Sequence, residues 1–255
     1  MRSALSQVQL SKADSKVLAQ VFEPESGPAK AEVLVDPYKP ADRHIDDKLA
    51  LAKLKARERD AIRLIEDFEN PAIQSSHSKD EVYRKALSLL DQIIEDYPDY
   101  ASARNNRAQL RRWRFGDRNM LCQARHPKDS DRSEAVSATV QDLRCSIALA
   151  SPERSGDAVS PAQGKLLAQV YTQLGAVCYA ASKDLEEISD GEIVDEELSG
   201  WTKDAIEEEV SRMFYLGGLY GNEVAKALAV HTNPHAKLCG NIVKEAMRKE
   251  LAMQS

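Results

Sequence analysis

Long apolar runs are missing from this 255-residue chain. The longest uncharged stretch, Leu166 to Ser182, is broken by Gln169, Thr172 and Gln173, and is too short and too polar to span a bilayer. The start, M-R-S-A-L-S-Q-V-Q-L-S-K, lacks the apolar core of a signal peptide. Aromatic residues are scarce at 5 % against 30 % charged residues, a balance that favours packed helices over a large sheet sandwich. Paired cysteines are missing too. Cys122, Cys145, Cys178 and Cys239 stand apart with no C-x-x-C among them, so they read as reduced, mostly buried thiols. Net positive charge is absent as well, and a formal charge of -6 argues against nucleic acid as a partner. No Gly-rich phosphate loop, nucleophile beside a base, or pair of acids in an apolar setting appears. These absences lead us to expect a soluble, non-enzymatic protein of the cytoplasm or nucleus, with no cofactor, no metal and no membrane partner. Oligomeric state is left open.

What is present is helical periodicity with regular stops. Residues 12 to 22 predict a short amphipathic helix with Val17, Leu18, Val21 and Phe22 on one stripe, capped by Asp14 or Ser15. Pro24, Pro28, Pro37 and Pro40, with Gly27, predict an extended linker. A long helix is expected over 45–68 and stops at Asn70-Pro71, and a second covers 79–97. Further helices are expected from Ala101 to about Gly116, over 133–149, through Tyr171, and over 201–216. Gly217-Gly218 is read as a break, with a helix over 219–230 and a last one from Asn233-Pro234 to about Met253.

Within that series Ala86, Leu90, Ile93 and Pro98 stand at gaps of four, three and five, followed by Asn105-Asn106-Arg107-Ala108. Tyr171-x-x-Leu174-Gly175-x-x-Cys178 adds an aromatic-x-x-Leu-Gly-x-x pattern. Both resemble the tetratricopeptide repeat, a helix pair of about 34 residues. A small residue lets two helices cross closely, and a terminal proline stops the second because it has no N–H to donate. The expected fold is all-α: a right-handed α-solenoid of three such repeats over 44–217, with an N-terminal helical segment and linker at 1–43. Capping helices are expected over 218–255. Insertions fall near 71–79, 118–131 and 183–200. The last, with acids from Asp184 to Glu197, reads as a solvated, mobile loop.

Three stretches also resemble the tetratricopeptide repeat protein 36 family. They are Val17-Leu18-Ala19-Gln20-Val21-Phe22 with Pro24, Asn105-Asn106-Arg107-Ala108-Gln109, and Asn233-Pro234-His235-Ala236-x-Leu238-Cys239. The departures are the three insertions and an extra residue before Gly116. That resemblance implies a non-enzymatic adaptor with links to the seventy-kilodalton heat-shock chaperone and to tyrosine catabolism.

Candidate binding residues cluster on one predicted helix. Arg104, Arg107, Arg111, Arg114 and Arg118 recur at three- and four-residue steps, beside Arg112 and Trp113. The stripe reads either as a groove for an acidic partner segment or as a face paired with the protein's own acids. For the groove we single out Asn105, Asn106, Gln109, Arg112, Trp113 and Arg114, with Arg forking onto carboxylates and Trp113 stacking. Register puts Arg104, Arg107 and Arg111 near packing positions, with stems buried. A chaperone carboxylate clamp needs converging cations, yet its third-repeat positions hold Gln169 and Gln173. His231, His235 and Cys239 have ligand-like spacing, but Pro234 interrupts it and a fourth ligand is missing, so they read as cap packing. The expected partner is a protein, as an acidic segment or a heat-shock chaperone. The competing class is a small-molecule or metal-dependent enzyme built in the helical groove.

Overall fold

The computed structural model describes residues 33–73, 76–118, 121–124, 130–154, 156–188, 191–193, 195, 197–233 and 248. The chain divides into two compact units, Met1–Val33 and Leu34–Ser255. The predicted helix at 12–22 and the last helix from 233 to 253 lie outside the described residues, apart from Asn233 and Arg248.

The second unit is all-α, with seven helices among the described residues: α1 (Lys48–Glu69), α2 (Lys79–Asp96), α3 (Ala101–Phe115), α4 (Ser130–Ala150), α5 (Pro161–Glu187), α6 (Lys203–Leu219) and α7 (Glu223–Thr232). Their starts follow from side chains that catch free backbone donors. Asp47 accepts from the Leu49 amide before α1, and Thr202 and Asn222 accept from the amides of Ala205 and Ala225. Ser78 with Glu81 and Ser160 with Gln163 form reciprocal capping boxes, and Pro161 fills the first position of α5. Gly116 closes α3 at φ +75°, a left-handed turn that a side chain would strain.

Each helix packs on the next in sequence, and α3 also reaches α5. Two buried clusters result. One joins α1, α2 and α3 around Leu54, Ala86, Leu90, Ile93 and Leu110. The other joins α3 to α7 around Val140, Leu143, Val170, Leu174, Val210 and Phe214. The spaced residues Ala86, Leu90 and Ile93 are at most 2 % exposed, and Ile206, Val210, Met213 and Phe214 face inward. Gly175 lies at a close crossing of α5 and α6: a Cβ there would stand 2.9 Å from Phe214 and 3.3 Å from the Met213 Cβ.

Gly217 and Gly218 do not break the chain, since α6 runs through them to Leu219. They make room instead. A Cβ on Gly217 would meet Thr172 at 2.8 Å, and one on Gly218 would meet the Lys226 backbone at 2.9 Å. The pair of glycines that suggested a break serves a close helix crossing.

The acidic insertion is also more ordered than its charge suggests. Asp184 lies inside α5, fully buried, and takes the Arg118 Nε at 2.5 Å. Beyond α5 the chain forms β2 (Gly191–Ile193), which pairs antiparallel with β1 (Cys122–Ala124) from the preceding insertion, Cys122 opposite Ile193. Asp195 is 6 % exposed and receives the fork of Arg144 at 3.0 and 3.1 Å. Leu121, Cys122 and Leu198 close the space beneath. The two insertions fold against each other, so the described acids there act as acceptors for cations of the helical body.

Residues 34–36 make a single parallel bridge to Val159, with the Val159 amide donating to the Leu34 carbonyl at 2.9 Å. Arg43 continues the strap by donating to the Ser151 carbonyl at 2.7 Å.

Candidate functional site

The six residues singled out in the sequence all belong to α3, and the helix divides them between two faces. One face looks towards α5. There Gln109 and Arg112 join Gln169, Thr172, Gln173, Ala176 and Asn222 around a cleft of about 230 Å³. The other face looks towards α1 and α2. There Trp113 donates to Glu69 at 2.9 Å, meets the Phe68 ring edge-on and lies under the Lys79 ammonium. Arg114 stands beside it, donating to Asp80 at 2.6 Å. The structure brings Gln109 and Arg112 together in the cleft. It does not bring Trp113 or Arg114 there.

Asn105 and Asn106 lie beneath the cleft in a continuous hydrogen-bond chain. The Asn106 amide donates to the Glu58 carboxylate at 2.8 Å, and the Gln173 amide donates to the Asn105 carbonyl at 2.7 Å. Arg112 donates through Nη1 to the Gln173 carbonyl at 3.0 Å and forks onto Asp117 at 2.7 and 2.8 Å. At the far end the Tyr100 hydroxyl donates to Glu58 at 2.6 Å. This chain ties α1, α3 and α5 together across the cleft floor. Burial pushes the Glu58 carboxyl above its ordinary range, opposed by hydrogen bonds from Tyr100, Ser102 and Asn106.

The remaining arginines of the stripe point between helices. Arg107 forks onto Asp142 of α4 at 2.7 Å through two nitrogens and reaches Asp91 of α2 at 2.7 Å through the third. Arg111 adds a bond to Asp142, and Arg104 approaches it at 3.7 Å. The Asp142 side chain is 2 % exposed, so these cations answer a buried charge. Every arginine of the stripe has an acid of this chain as partner.

What the cleft offers is therefore mostly neutral. Gln109 and Gln169 are exposed amides, Thr172 is a hydroxyl that donates to the Ala168 carbonyl at 2.6 Å, and Asn222 caps α7. Arg112 brings the positive charge among the lining residues, balanced by Asp117. Gln169, Thr172 and Asn222 were not among the sequence candidates. Their signal was legible in part: Gln169 and Thr172, with Gln173, are the polar breaks of the uncharged run from Leu166 to Ser182, at helical spacing.

A protein of Aspergillus fumigatus named L-tyrosine degradation gene cluster protein hmgX is 35 % identical over 246 residues, covering 93 % of this chain and 92 % of the relative. The chain belongs to the family of hmgX. No family model matches it, and no solved structure matches it significantly. The hmgX match covers nearly the whole of both chains, so membership is carried by the full length and not by one helix pair.

In this hmgX-family chain the buried Cys122 and Cys178 are poor nucleophiles. Burial, with nearby acids, pushes the Cys122 thiol up to about 11 and the Cys178 thiol to about 12, so both stay protonated at neutral pH. No group of three or more His, Cys, Asp or Glu among the described residues is arranged to hold a metal ion. His235 and Cys239 lie outside the described residues. No described helix is long and apolar enough to cross a membrane.

Proposed function

We propose that the chain is a non-enzymatic adaptor of L-tyrosine breakdown, built as a three-repeat tetratricopeptide solenoid that holds a protein partner in the cleft between α3 and α5. The repeat reading draws on the sequential packing of the helices and on the small residues Ala86 and Gly175 at their register positions. The link to L-tyrosine draws on the name of the hmgX relative.

The lining of the cleft carries the proposal. Gln109, Gln169, Thr172, Gln173 and Asn222 surround one guanidinium. Amides and hydroxyls both donate and accept, which suits the main chain of an extended segment that has no sheet to join. Because Asp117 already balances Arg112, an acidic residue of the partner would take the place of Asp117 on the guanidinium fork. An acidic tail of a heat-shock chaperone or an acidic segment of an enzyme has that chemistry. Nucleic acid and membrane have no part in this reading.

The test is capture by the tagged full chain from cells degrading L-tyrosine, compared with a Gln109→Glu/Gln169→Glu double variant. Both side chains are exposed, so the variant should keep its circular dichroism spectrum. We expect the wild type to enrich an enzyme of L-tyrosine breakdown or a heat-shock chaperone, and the variant to lose it. Equal capture by a natively folded variant would overturn the cleft as the binding surface.

A further inference from the structure

A second concave region lies elsewhere on the same unit, between α4, α5, α6 and residues 197–202. It consists of two adjoining clefts of about 450 and 460 Å³ that share Trp201, Glu209 and Arg212. Clefts that hold small ligands fall in the range of ~300–1,000 Å³ and combine apolar walls with a few placed polar groups. None of the residues lining the α3–α5 cleft lines this one.

The floor is apolar. Leu174 and Met213 are core residues whose edges reach the cleft, and Ile147 and Leu198 flank them. Trp201 is 39 % exposed, on the segment that leads into α6. A large aromatic surface left half in water at the junction of two clefts can take the face of a ligand ring.

The rim carries both signs of charge. Arg212 forks onto Glu209 at 2.7 and 2.8 Å with its own side chain 60 % exposed. Arg144 is anchored by Asp195 and also meets Glu197 at 3.1 Å, whose side chain is 71 % exposed. Each of these pairs has one largely solvated member, Arg212 or Glu197, and such pairs are weak, so a ligand bearing both charges can exchange partners with them at little cost. An aromatic acid alone would meet Glu197 and Glu209, and an aromatic amine alone would meet Arg144 and Arg212. A dipolar ligand satisfies both.

We propose that this cleft binds a free aromatic α-amino acid, its ring against Trp201, its carboxylate at Arg212 and its ammonium at Glu197 or Glu209. The choice of L-tyrosine as probe rests on the link to L-tyrosine breakdown proposed above; the site itself rests on the cleft. The adaptor thereby gains a site that reads the substrate of the process it serves, outside its partner cleft.

Isothermal titration of the full chain with L-tyrosine tests this, alongside tyramine, which lacks the carboxylate, and 3-(4-hydroxyphenyl)propionate, which lacks the ammonium. We expect saturable one-to-one binding of L-tyrosine, with both analogues weaker by about ten-fold or more, as for the loss of one polar contact. Trp201→Ala should abolish the heat while keeping a native spectrum, and Glu197→Gln/Glu209→Gln should bring L-tyrosine down to the level of the deaminated acid. Absence of saturable binding to wild type, or equal affinity for either analogue, would overturn the proposal. So would L-tyrosine binding that all these substitutions leave unchanged. Partner capture through Gln109 and Gln169 is read separately, so either proposal can fail alone.

Discussion

The α1–α3 core and the α3–α7 core share one helix and are closed by different means. In the first, Leu54, Ala86, Leu90, Ile93 and Leu110 interlock, and the polar cargo is concentrated in one buried cluster at Glu58, Tyr100 and Asn106. In the second, the apolar residues are joined by a peripheral layer of ion pairs and a two-stranded ribbon contributed by two insertions. Between them stands Asp142, a carboxylate removed from water and held by Arg107 and Arg111 of the shared helix. The contrast teaches that long, charged insertions in a helical stack are not automatically passengers. When two of them meet, they supply each other's hydrogen-bond partners and cover the core below.

The largest expected loss comes from the joint between the two regions. Asp142→Ala strips buried Arg111 of its carboxylate and leaves Arg107 with Asp91 alone, and should cost about 3–5 kcal/mol in chemical denaturation. A smaller penalty, about 1–3 kcal/mol, is expected for Gly175→Leu, because Phe214 and the Met213 Cβ stand where the new side chain must go. Wild-type melting of Gly175→Leu would mean that α5 and α6 can part at no cost. The insertion layer comes next. Asp195→Ala removes the fork acceptor of Arg144 and a cap on the Leu198 amide, and should destabilise by about 1–3 kcal/mol. An unchanged denaturation midpoint for Asp195→Ala would return the insertion to the status of a passenger.

Glu58 sharpens the comparison through pH. Burial raises its carboxyl above the unfolded value, so the folded chain keeps that proton to higher pH. The stabilising contribution is complete below the unfolded pKa and is lost as pH rises through the folded one. Relative to Glu58→Gln, wild type should therefore gain melting temperature as the pH falls from neutrality toward the ordinary glutamate value of about 4. A difference that stays flat with pH would mean that the carboxyl is solvated.

Much of this organisation could be read in advance. Helix positions follow from apolar spacing and stops such as Asn70-Pro71, and the spaced Ala86, Leu90 and Ile93 are buried on α2. The misread places share one cause: sequence shows a residue but not what stands against it. Asp184 and Asp195 look like members of a solvated run until Arg118 and Arg144 are seen beside them. Gly217-Gly218 looks like a break until Thr172 and Lys226 are found pressed against it. The arginine stripe was open to two readings, and helix geometry adds a distinction that spacing does not carry. Arg112 faces α5 while Arg114 faces α2, so reversing both would set glutamates against Asp117 and Asp80 at once. That double reversal would report on two internal ion pairs as well as on a partner.

The most direct measurement is capture by the full-length chain from cells degrading L-tyrosine, with Gln109→Glu/Gln169→Glu and Trp201→Ala variants in parallel. The double glutamate variant should stay within about 0.5 kcal/mol of wild-type stability, since it alters exposed side chains outside the core, and both variants should keep a native spectrum. The account predicts that the double glutamate variant loses the partner while Trp201→Ala retains it. Retention by the glutamate variant, with a native spectrum, would contradict the assignment of the α3–α5 cleft as the working surface.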